Sequence, residues 1–257
     1  MIIKTTFLIL IIFVSISYGD FDDSVIWKYY IPEPGNDGRN FIINRDGLKS
    51  TFLHSNLYGV ESLNWNFISM RYNKGAAGFG MEFSTVGYKE YYRRNKYRAR
   101  IEYRLHENVG IAPLFEITNE EFQDFGRHTG ISGEFFIGYT RRNYYAGLGF
   151  AEIQFKEPYN KSRNDGLKPF VINSWIFNEG LTLSIGIRRF ENRRTRWIFD
   201  QCVSVNGNLA LNFGYKNNPS DIYGGLLLTV RKFSFTITYS SVSGLSDSVI
   251  WGISFRG

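Results

Sequence analysis

The sequence predicts an all-β fold, an antiparallel transmembrane β-barrel of about fourteen strands, with twelve as the alternative count. Three observations carry this prediction. Apolar and polar side chains alternate over most of the chain, short and longer connections follow one another in turn, and aromatic residues make up 18% of a chain whose mean hydropathy is only −0.24. A barrel combines these properties because each strand has one face toward lipid and one toward the lumen, with aromatic girdles at the membrane interfaces.

The N-terminus of this 257-residue chain has the features of a secretory signal peptide. Lys4 precedes an apolar run over residues 7–16, and the small residues Ser17 and Gly19 come just before Asp20. Cleavage after Gly19 removes one lysine and no acid, which lowers the formal net charge from +6 to +5. A membrane anchor is the alternative, but the run is shorter than the roughly 20 apolar residues of a spanning helix.

Residues 20–47 differ in composition from the rest of the chain. Three acids, Asp20, Asp22 and Asp23, lie at its start, and several prolines and glycines follow between residues 32 and 38. Proline and glycine at this density oppose a long strand. We therefore expect an irregular segment that either folds into the barrel lumen as a plug or forms a mobile periplasmic tail.

Residues 48–257 carry a continuous strand pattern, which is clearest in the hairpin 97–117. Tyr97, Ile101 and Leu105 lie on one face of its first strand, whereas Arg98 and Glu102 lie on the other. A hairpin of a soluble β-sandwich is the alternative for this segment alone. The fourteen predicted strands are 49–55, 63–72, 77–86, 97–105, 109–117, 129–139, 144–155, 168–177, 181–189, 196–205, 208–216, 222–230, 233–240 and 248–255.

The connections favour the barrel over the sandwich. Tight turns such as Asn206-Gly207 alternate with longer segments such as 87–96, 118–128 and 156–167. Outer-membrane barrels pair short periplasmic turns with longer extracellular loops, which also requires an even number of strands. The last strand ends on the aromatic residue Phe255, a feature that the bacterial barrel-insertion machinery reads. The chain is therefore expected in the bacterial outer membrane as a multi-pass barrel.

Cysteine and histidine usage argues against a metal, cofactor or catalytic site. Cys202 is the single cysteine, and the three histidines are far apart in the sequence. His128 and Ser132 are close in sequence, but no third residue that would orient a nucleophile can be assigned. We therefore expect no cofactor, no metal and no enzymatic activity.

The stretch 51–117 resembles a known group of barrels. It contains Phe52-Leu53-His54-Ser55 with Gly59, a strand around residues 64–72, the glycine-spaced residues 78–80, and Gly87-Tyr88-Lys89-Glu90 before a predicted outer loop. These residues resemble the FadL/PorV-like group, which includes long-chain fatty-acid channels and the shuttle protein of the type IX secretion system. The resemblance implies fourteen strands and an N-terminal segment inside the lumen.

The alternation directs a set of charged side chains into the lumen, where they are candidate ligand-binding residues. The arginines could bind an anionic head group or the acidic start of residues 20–47. The alternative is that they pair with glutamates on neighbouring strands. The candidates are Arg98, Arg100, Arg104, Arg188, Glu82, Glu102, Glu116 and Glu134.

Basic residues interleaved with tyrosines predict a second candidate surface, in the outer loop 87–96. Lys89, Arg93, Arg94 and Lys96 are candidates for binding lipopolysaccharide phosphates just outside the membrane. Solvated loops with no partner are the alternative. Nucleic acid also binds basic aromatic patches, but the signal peptide argues against that partner.

Together these observations predict an outer-membrane barrel that binds or passes hydrophobic or amphipathic small molecules. The alternative function is a non-conducting scaffold or shuttle for secretion or envelope proteins. Expected partners are outer-membrane lipid, lipopolysaccharide, the barrel-insertion machinery and a hydrophobic ligand.

Overall fold

A computed structural model describes residues 46–57, 60, 62–88, 91–124, 126–141, 143–156, 168–177, 180–189, 195–217, 220–242 and 247–257. The predicted signal peptide and nearly all of the predicted plug segment, which precede Asp46, lie outside the described residues. Across the described part of the chain, no helix is both long enough and apolar enough to cross a membrane.

Fourteen antiparallel strands form one closed barrel, which confirms the predicted fold class and strand number. Each strand pairs with its neighbours in the chain, and β1 pairs with β14 to close the sheet. Closure gives every strand two partners, so the sheet has no exposed edge. The strands are β1 (Gly47–Asn56), β2 (Leu63–Lys74), β3 (Ala77–Tyr88), β4 (Tyr92–His106), β5 (Val109–Phe122), β6 (Gly126–Arg141), β7 (Tyr144–Lys156), β8 (Lys168–Phe177), β9 (Leu181–Arg189), β10 (Thr195–Asn206), β11 (Leu209–Lys216), β12 (Asp221–Val230), β13 (Phe233–Val242) and β14 (Ser248–Arg256).

The closing seam brings the start of β1 next to the C-terminus. The Gly257 N–H donates to the Leu48 carbonyl oxygen at 2.8 Å, and the hydroxyl oxygens of Thr51 and Ser254 lie 3.0 Å apart. Gly47 has a φ of 135°, and a Cβ there would lie 2.6 Å from the Gly257 carbonyl oxygen. Only glycine combines that backbone conformation with such a close approach.

The two ends of the barrel differ in the length of their connections. Strand pairs β2–β3, β4–β5, β10–β11 and β12–β13 are each joined by two residues at one end, the turn end. At the other end, the loop end, the connection from β7 to β8 spans residues 157–167.

The outward face of the barrel is an apolar band. Large side chains stay exposed there, including Met81 at 57%, Ile101 at 57% and Trp251 at 50%. On β4 the band extends from Tyr97 to Leu105, about 27 Å along the strand at ~3.3 Å per residue. A strand tilted by about 40° then covers about 20 Å of membrane thickness, close to the roughly 25 Å apolar band of known barrels.

Two of the predicted outer loops are strands instead. β3 reaches Tyr88 and β4 begins at Tyr92, and β5 reaches Phe122 before β6 begins at Gly126. The connections predicted over residues 87–96 and 118–128 are therefore only three residues long.

The reason for this difference lies in the outward residues above the band. Asn95, Asn119 and Thr129 occupy one row across β4, β5 and β6, and the Thr129 hydroxyl donates to the Asn119 side chain at 2.9 Å. In water an outward side chain can be polar, so the apolar alternation stops at Tyr97 although the strand continues. β3–β6 thus extend past the apolar band at the loop end.

Candidate functional site: the lumen wall

A network of charged side chains covers the lumen side of β2–β5. The strand register places Arg98 between Glu82 on β3 and Glu116 on β5. Arg98 Nε donates to Glu116 Oε2 at 2.5 Å, and Arg98 Nη1 lies 3.7 Å from Glu82 Oε2. Arg98 is therefore held by two carboxylates on neighbouring strands.

Glu102 connects two more arginines of this charged network. Arg71 donates to Glu102 Oε2, and Arg100 Nη1 lies 3.4 Å from Glu102 Oε1. Gly78 is opposite Glu102 in the register, and a Cβ there would come too close to the Asn73 side chain. Glu102 is only 2% exposed, so its charge is stabilised by these two cations rather than by water.

The predicted lumen residues take up three kinds of position. Glu82, Arg98, Arg100, Glu102 and Glu116 meet in the charged network. Arg98 pairs with glutamates on the two neighbouring strands, whereas Arg100 pairs with Glu102 on its own strand. The other three lie at other positions. Arg188 faces the lumen on β9, Arg104 is exposed near the turn end of β4, and Glu134 is half-buried on β6.

An apolar group lies on the lumen side of the seam strands near the loop end. Trp65 and Phe67 on β2 are 0% and 1% exposed, with ring centroids 5.9 Å apart. The outward neighbours of Trp65, Asn64 and Asn66, are polar, and His54 Nδ1 and Asn66 Oδ1 lie 2.8 Å apart. The usual barrel pattern is thus reversed around Trp65, whereas the apolar Ile68 next to Phe67 faces outward and is 50% exposed. This seam cluster consists of Leu53, Leu57, Trp65, Phe67, Val86 and Ile250.

A second apolar surface, the aromatic patch, lies on β6–β8 and consists of Phe136, Tyr145, Phe170 and Ile172. The rings of Phe136 and Phe170 are 5.7 Å apart and nearly parallel, at 5°. A Cβ on the intervening Gly149 would lie 2.7 Å from Phe170 Cζ. The ring therefore lies flat over the glycine, and the patch covers the wall instead of projecting across the lumen.

The lumen side of β8–β12 carries a second set of charges. Lys216 Nζ lies 2.8 Å from Asp221 Oδ2, and the Tyr223 hydroxyl donates to Asp200 Oδ2 at 2.6 Å. These two carboxylates share the wall with four cations, which are Lys168, Arg188, Arg196 and Lys216. Arg71 and Arg196 were not among the predicted lumen residues, although both lie at inward positions of the alternation.

The candidate lipopolysaccharide residues do not form one surface. Lys89 lies outside the described residues, whereas Arg93, Arg94 and Lys96 belong to β4 rather than to a loop. Strand alternation turns Arg93 outward, where it is exposed, and turns Arg94 and Lys96 toward the lumen, where they are half-buried. Of the three described residues, only Arg93 lies on the outward face of the barrel.

Little of the described lumen wall is accessible to water. Trp65, Phe136, Glu102 and Arg188 are each at most 2% exposed although all four face the lumen. Among the described residues, no three of His, Cys, Asp or Glu are grouped closely enough to hold a metal ion. These lumen-facing side chains therefore pack mainly against neighbouring side chains of the wall.

No protein-family model matches this chain. No curated protein matches it either. Several solved structures are similar to this chain in fold. The outer membrane protein Omp33 of Acinetobacter baumannii is similar with a TM-score of 0.59 at 9% identity, over 82% of this chain and 98% of that one.

Two transporters have comparable similarity. The toluene transporter TodX of Pseudomonas putida matches with a TM-score of 0.59 at 11% identity, over 94% of this chain and 95% of TodX. The toluene transporter TbuX of Ralstonia pickettii matches with a TM-score of 0.56 at 10% identity, over 87% and 92% of the two chains.

These likenesses show the fold. The resemblance to the FadL/PorV-like group is thus confirmed at the level of the barrel fold, and PorV specifically is not shown. TodX and TbuX are described as transporters and not as enzymes.

Proposed function

We propose that this protein is an outer-membrane barrel that binds or passes hydrophobic or amphipathic small molecules. The observation that carries the proposal is the presence of large apolar side chains on the lumen wall, in the seam cluster and in the aromatic patch. A polar lumen is the usual arrangement in a water-filled barrel, and apolar walls with a few polar groups are typical of ligand sites.

Localisation follows from the same proposal. The signal peptide would be cleaved after Gly19, the turn end would face the periplasm, and the loop end would face the outside. Arg93 and the exposed Arg127 on β6 lie above the apolar band on the outward face, on either side of Glu121 in the register. In this proposal these two arginines would contact lipopolysaccharide phosphates. The terminal strand β14 would be read by the insertion machinery.

Toluene is a suitable probe of the function. Cells of a Gram-negative host without hydrocarbon channels are expected to take up labelled toluene faster when they express this protein. Trp65→Ala and Phe170→Ala should lower the rate, because each removes a large ring from the lumen-facing side of the wall. Phe235→Ala, which removes a ring from the lipid-facing side, is the matched control and should not.

The opposite result would favour the alternative function. If expressing cells take up toluene no faster than empty cells, and the purified protein binds none, the protein does not handle such solutes. A scaffold for envelope proteins would then be the better description.

Residues 20–45 add a further arm to this test. If this segment is a plug, a chain lacking it should conduct ions in planar bilayers whereas the full mature chain should not. Equal conductance of the two chains would mean that the segment does not block the lumen.

A further inference from the structure

We infer that the seam side of the barrel thins the membrane and contacts lipid head groups at a height where β4 contacts acyl chains. The contact surface is a polar patch on the outward face of β1–β3, near the loop end. The inference goes beyond the proposed function, because it concerns the lipid around the barrel and not the solute inside it. The polar patch consists of His54, Asn56, Asn64, Asn66 and Thr85.

The strand register places the polar patch at the edge of the apolar band. Two neighbouring rows of outward cross-strand partners, two positions apart along each strand, cross β1–β6. The row nearer the turn end is apolar or aromatic throughout and consists of Phe52, Ile68, Phe83, Tyr97, Ile117 and Ile131. The row nearer the loop end carries only imidazole, amide and hydroxyl groups and consists of His54, Asn66, Thr85, Asn95, Asn119 and Thr129. The edge of the apolar band therefore follows one register row over six strands.

This edge is not parallel to the membrane. A register row runs perpendicular to the strands, so strands that tilt also tilt the row. With strands about 4.8 Å apart and tilted by about 40°, the five steps from β1 to β6 change the height by roughly 15 Å. The strand ends give the direction, since His54 is seven positions from Gly47 and Thr129 is twelve from Arg141, both at the turn end. The edge is therefore lowest at the seam and highest at β6.

The apolar face is correspondingly short on the seam strands. It extends from Leu48 to Phe52 on β1, interrupted by Ser50, and from Ile68 to Tyr72 on β2, which is about 13 Å along each strand. A strand tilted by about 40° then covers about 10 Å of membrane thickness, half of what β4 covers. A bilayer accommodates an apolar surface that is too short by thinning locally.

Two neighbouring features lie at the same level. Trp251 is the partner of His54 across the seam, with ring centroids 5.3 Å apart, and it is 50% exposed. Tryptophan is enriched where a membrane meets its head groups. On the inward side, Trp65 and Phe67 of the seam cluster are buried. The apolar contacts of β1 and β2 at this level are therefore made inside the barrel instead of with lipid.

The chemistry of the polar patch favours head groups over a protein partner. Asparagine and threonine both donate and accept hydrogen bonds, which suits the phosphates and hydroxyls of lipid head groups. The five residues of the patch include no acid, lysine or arginine, so they offer no charge complementarity to a protein surface. Asn66 and Thr85 also continue directly into Asn95 on β4. One layer of head groups can therefore cover the patch and the row above the band.

Spin labels at matched heights test the thinning. His54→Cys and Ala99→Cys, each in a Cys202→Ser background of the mature chain, would carry a nitroxide in dioleoylphosphatidylcholine vesicles. His54 is seven positions from Gly47 and Ala99 is seven from His106, so a flat membrane edge would cover both alike. We expect the label at position 54 to collide mainly with a water-soluble nickel complex, and the label at position 99 mainly with oxygen.

Arginine at the same two positions gives a second measure. Ala99→Arg should raise the equilibrium constant of unfolding in these vesicles at least about thirtyfold, because lipid surrounds the charge, whereas His54→Arg should raise it no more than about fivefold. The labelled variants keep the test valid if Ala99→Arg does not fold. Cold gel mobility would check folding of every variant.

Three outcomes would overturn the inference. The first is a label at position 54 that collides mainly with oxygen, as at position 99. The second is a label at position 54 that neither reagent reaches, which would mean that a second copy or another protein covers the patch. The third is an equal rise in the unfolding constant for the two arginine variants. Toluene uptake does not depend on any of these results, so the proposed function is tested separately.

Discussion

At the scale of single residues, the charged network is the most sensitive part of the lumen. Glu102 lies between Arg71 and Arg100 and is nearly inaccessible to water. Glu102→Gln keeps the shape but leaves two cations without this carboxylate. We expect it to lower the free energy of unfolding by about 3 kcal/mol, measured by urea unfolding in lipid vesicles.

The matched control for this substitution lies outside the lumen. Glu121→Gln changes an exposed residue near the loop end of β5 and should shift the unfolding free energy by less than about 0.5 kcal/mol. The double variant Arg71→Gln, Glu102→Gln should recover part of the loss. If Glu102→Gln and Glu121→Gln lower the free energy of unfolding equally, burial of the charged network does not contribute to stability.

Glycine positions facing aromatic rings make a second prediction at this scale. A Cβ on Gly214 would lie 2.5 Å from Cε2 of Tyr223, and that tyrosine is fixed by its hydrogen bond to Asp200. Gly214→Ala should therefore cost about 1–3 kcal/mol through overpacking. Gly207→Ala, in a turn where a Cβ would meet nothing within 4 Å, should be close to neutral in the same unfolding experiment.

At the scale of a strand, β4 shows where the membrane ends. Ile101 lies inside the apolar band, and Asn95 lies on the same outward face above it. Ile101→Arg should lower the unfolding free energy in vesicles by about 2–4 kcal/mol, because lipid cannot solvate the charge near the midplane. Asn95→Arg should cost at most about 1 kcal/mol. A reversed order would place Asn95 nearer the midplane than Ile101 and the membrane boundary above Asn95.

The same strand explains how far the sequence could predict the elements. Inside the band, lipid requires an apolar residue at every second position, so the strand faces and the strand count followed from alternation. Above Tyr97 water accepts Asn95 and Arg93 on the outward face, and the pattern that marks a strand disappears. The loop predicted over residues 87–96 was therefore wrong. Above Tyr97 the outward face meets water instead of lipid, but the strands remain paired.

The site was only partly predictable for a related reason. Alternation placed Arg98, Arg100 and Glu102 in the lumen, but the partners of a charged residue depend on register. Arg71 pairs with Glu102, and Arg196 is opposite Arg188. Both contacts are set by the register, which is the offset between neighbouring strands. A single sequence contains no direct record of that offset.

At the scale of the whole molecule, barrel closure predicts that the backbone amides of β1 and β14 are protected from hydrogen exchange as strongly as those of the other strands. Phe52 and Leu53 on β1 have register partners on β14 and on β2, and the N–H groups of two consecutive residues point to opposite neighbouring strands. We expect them to exchange with deuterium as slowly as the amide of Phe235 on β13. Much faster exchange in β1 and β14 would indicate a barrel that opens at this seam.

The seam also determines the order of assembly. All other pairings in the ladder join strands consecutive in sequence, whereas Thr51 and Ser254, which meet across the seam, are 203 positions apart. Contacts between distant residues form late, because closure entropy must be lost before they contribute. During synthesis and export, β1 must therefore wait for the final residues of the chain. A chain that ends before Ser248 lacks β14, so β1 and β13 would each keep an unpaired edge. We expect such an open sheet to aggregate through these edges.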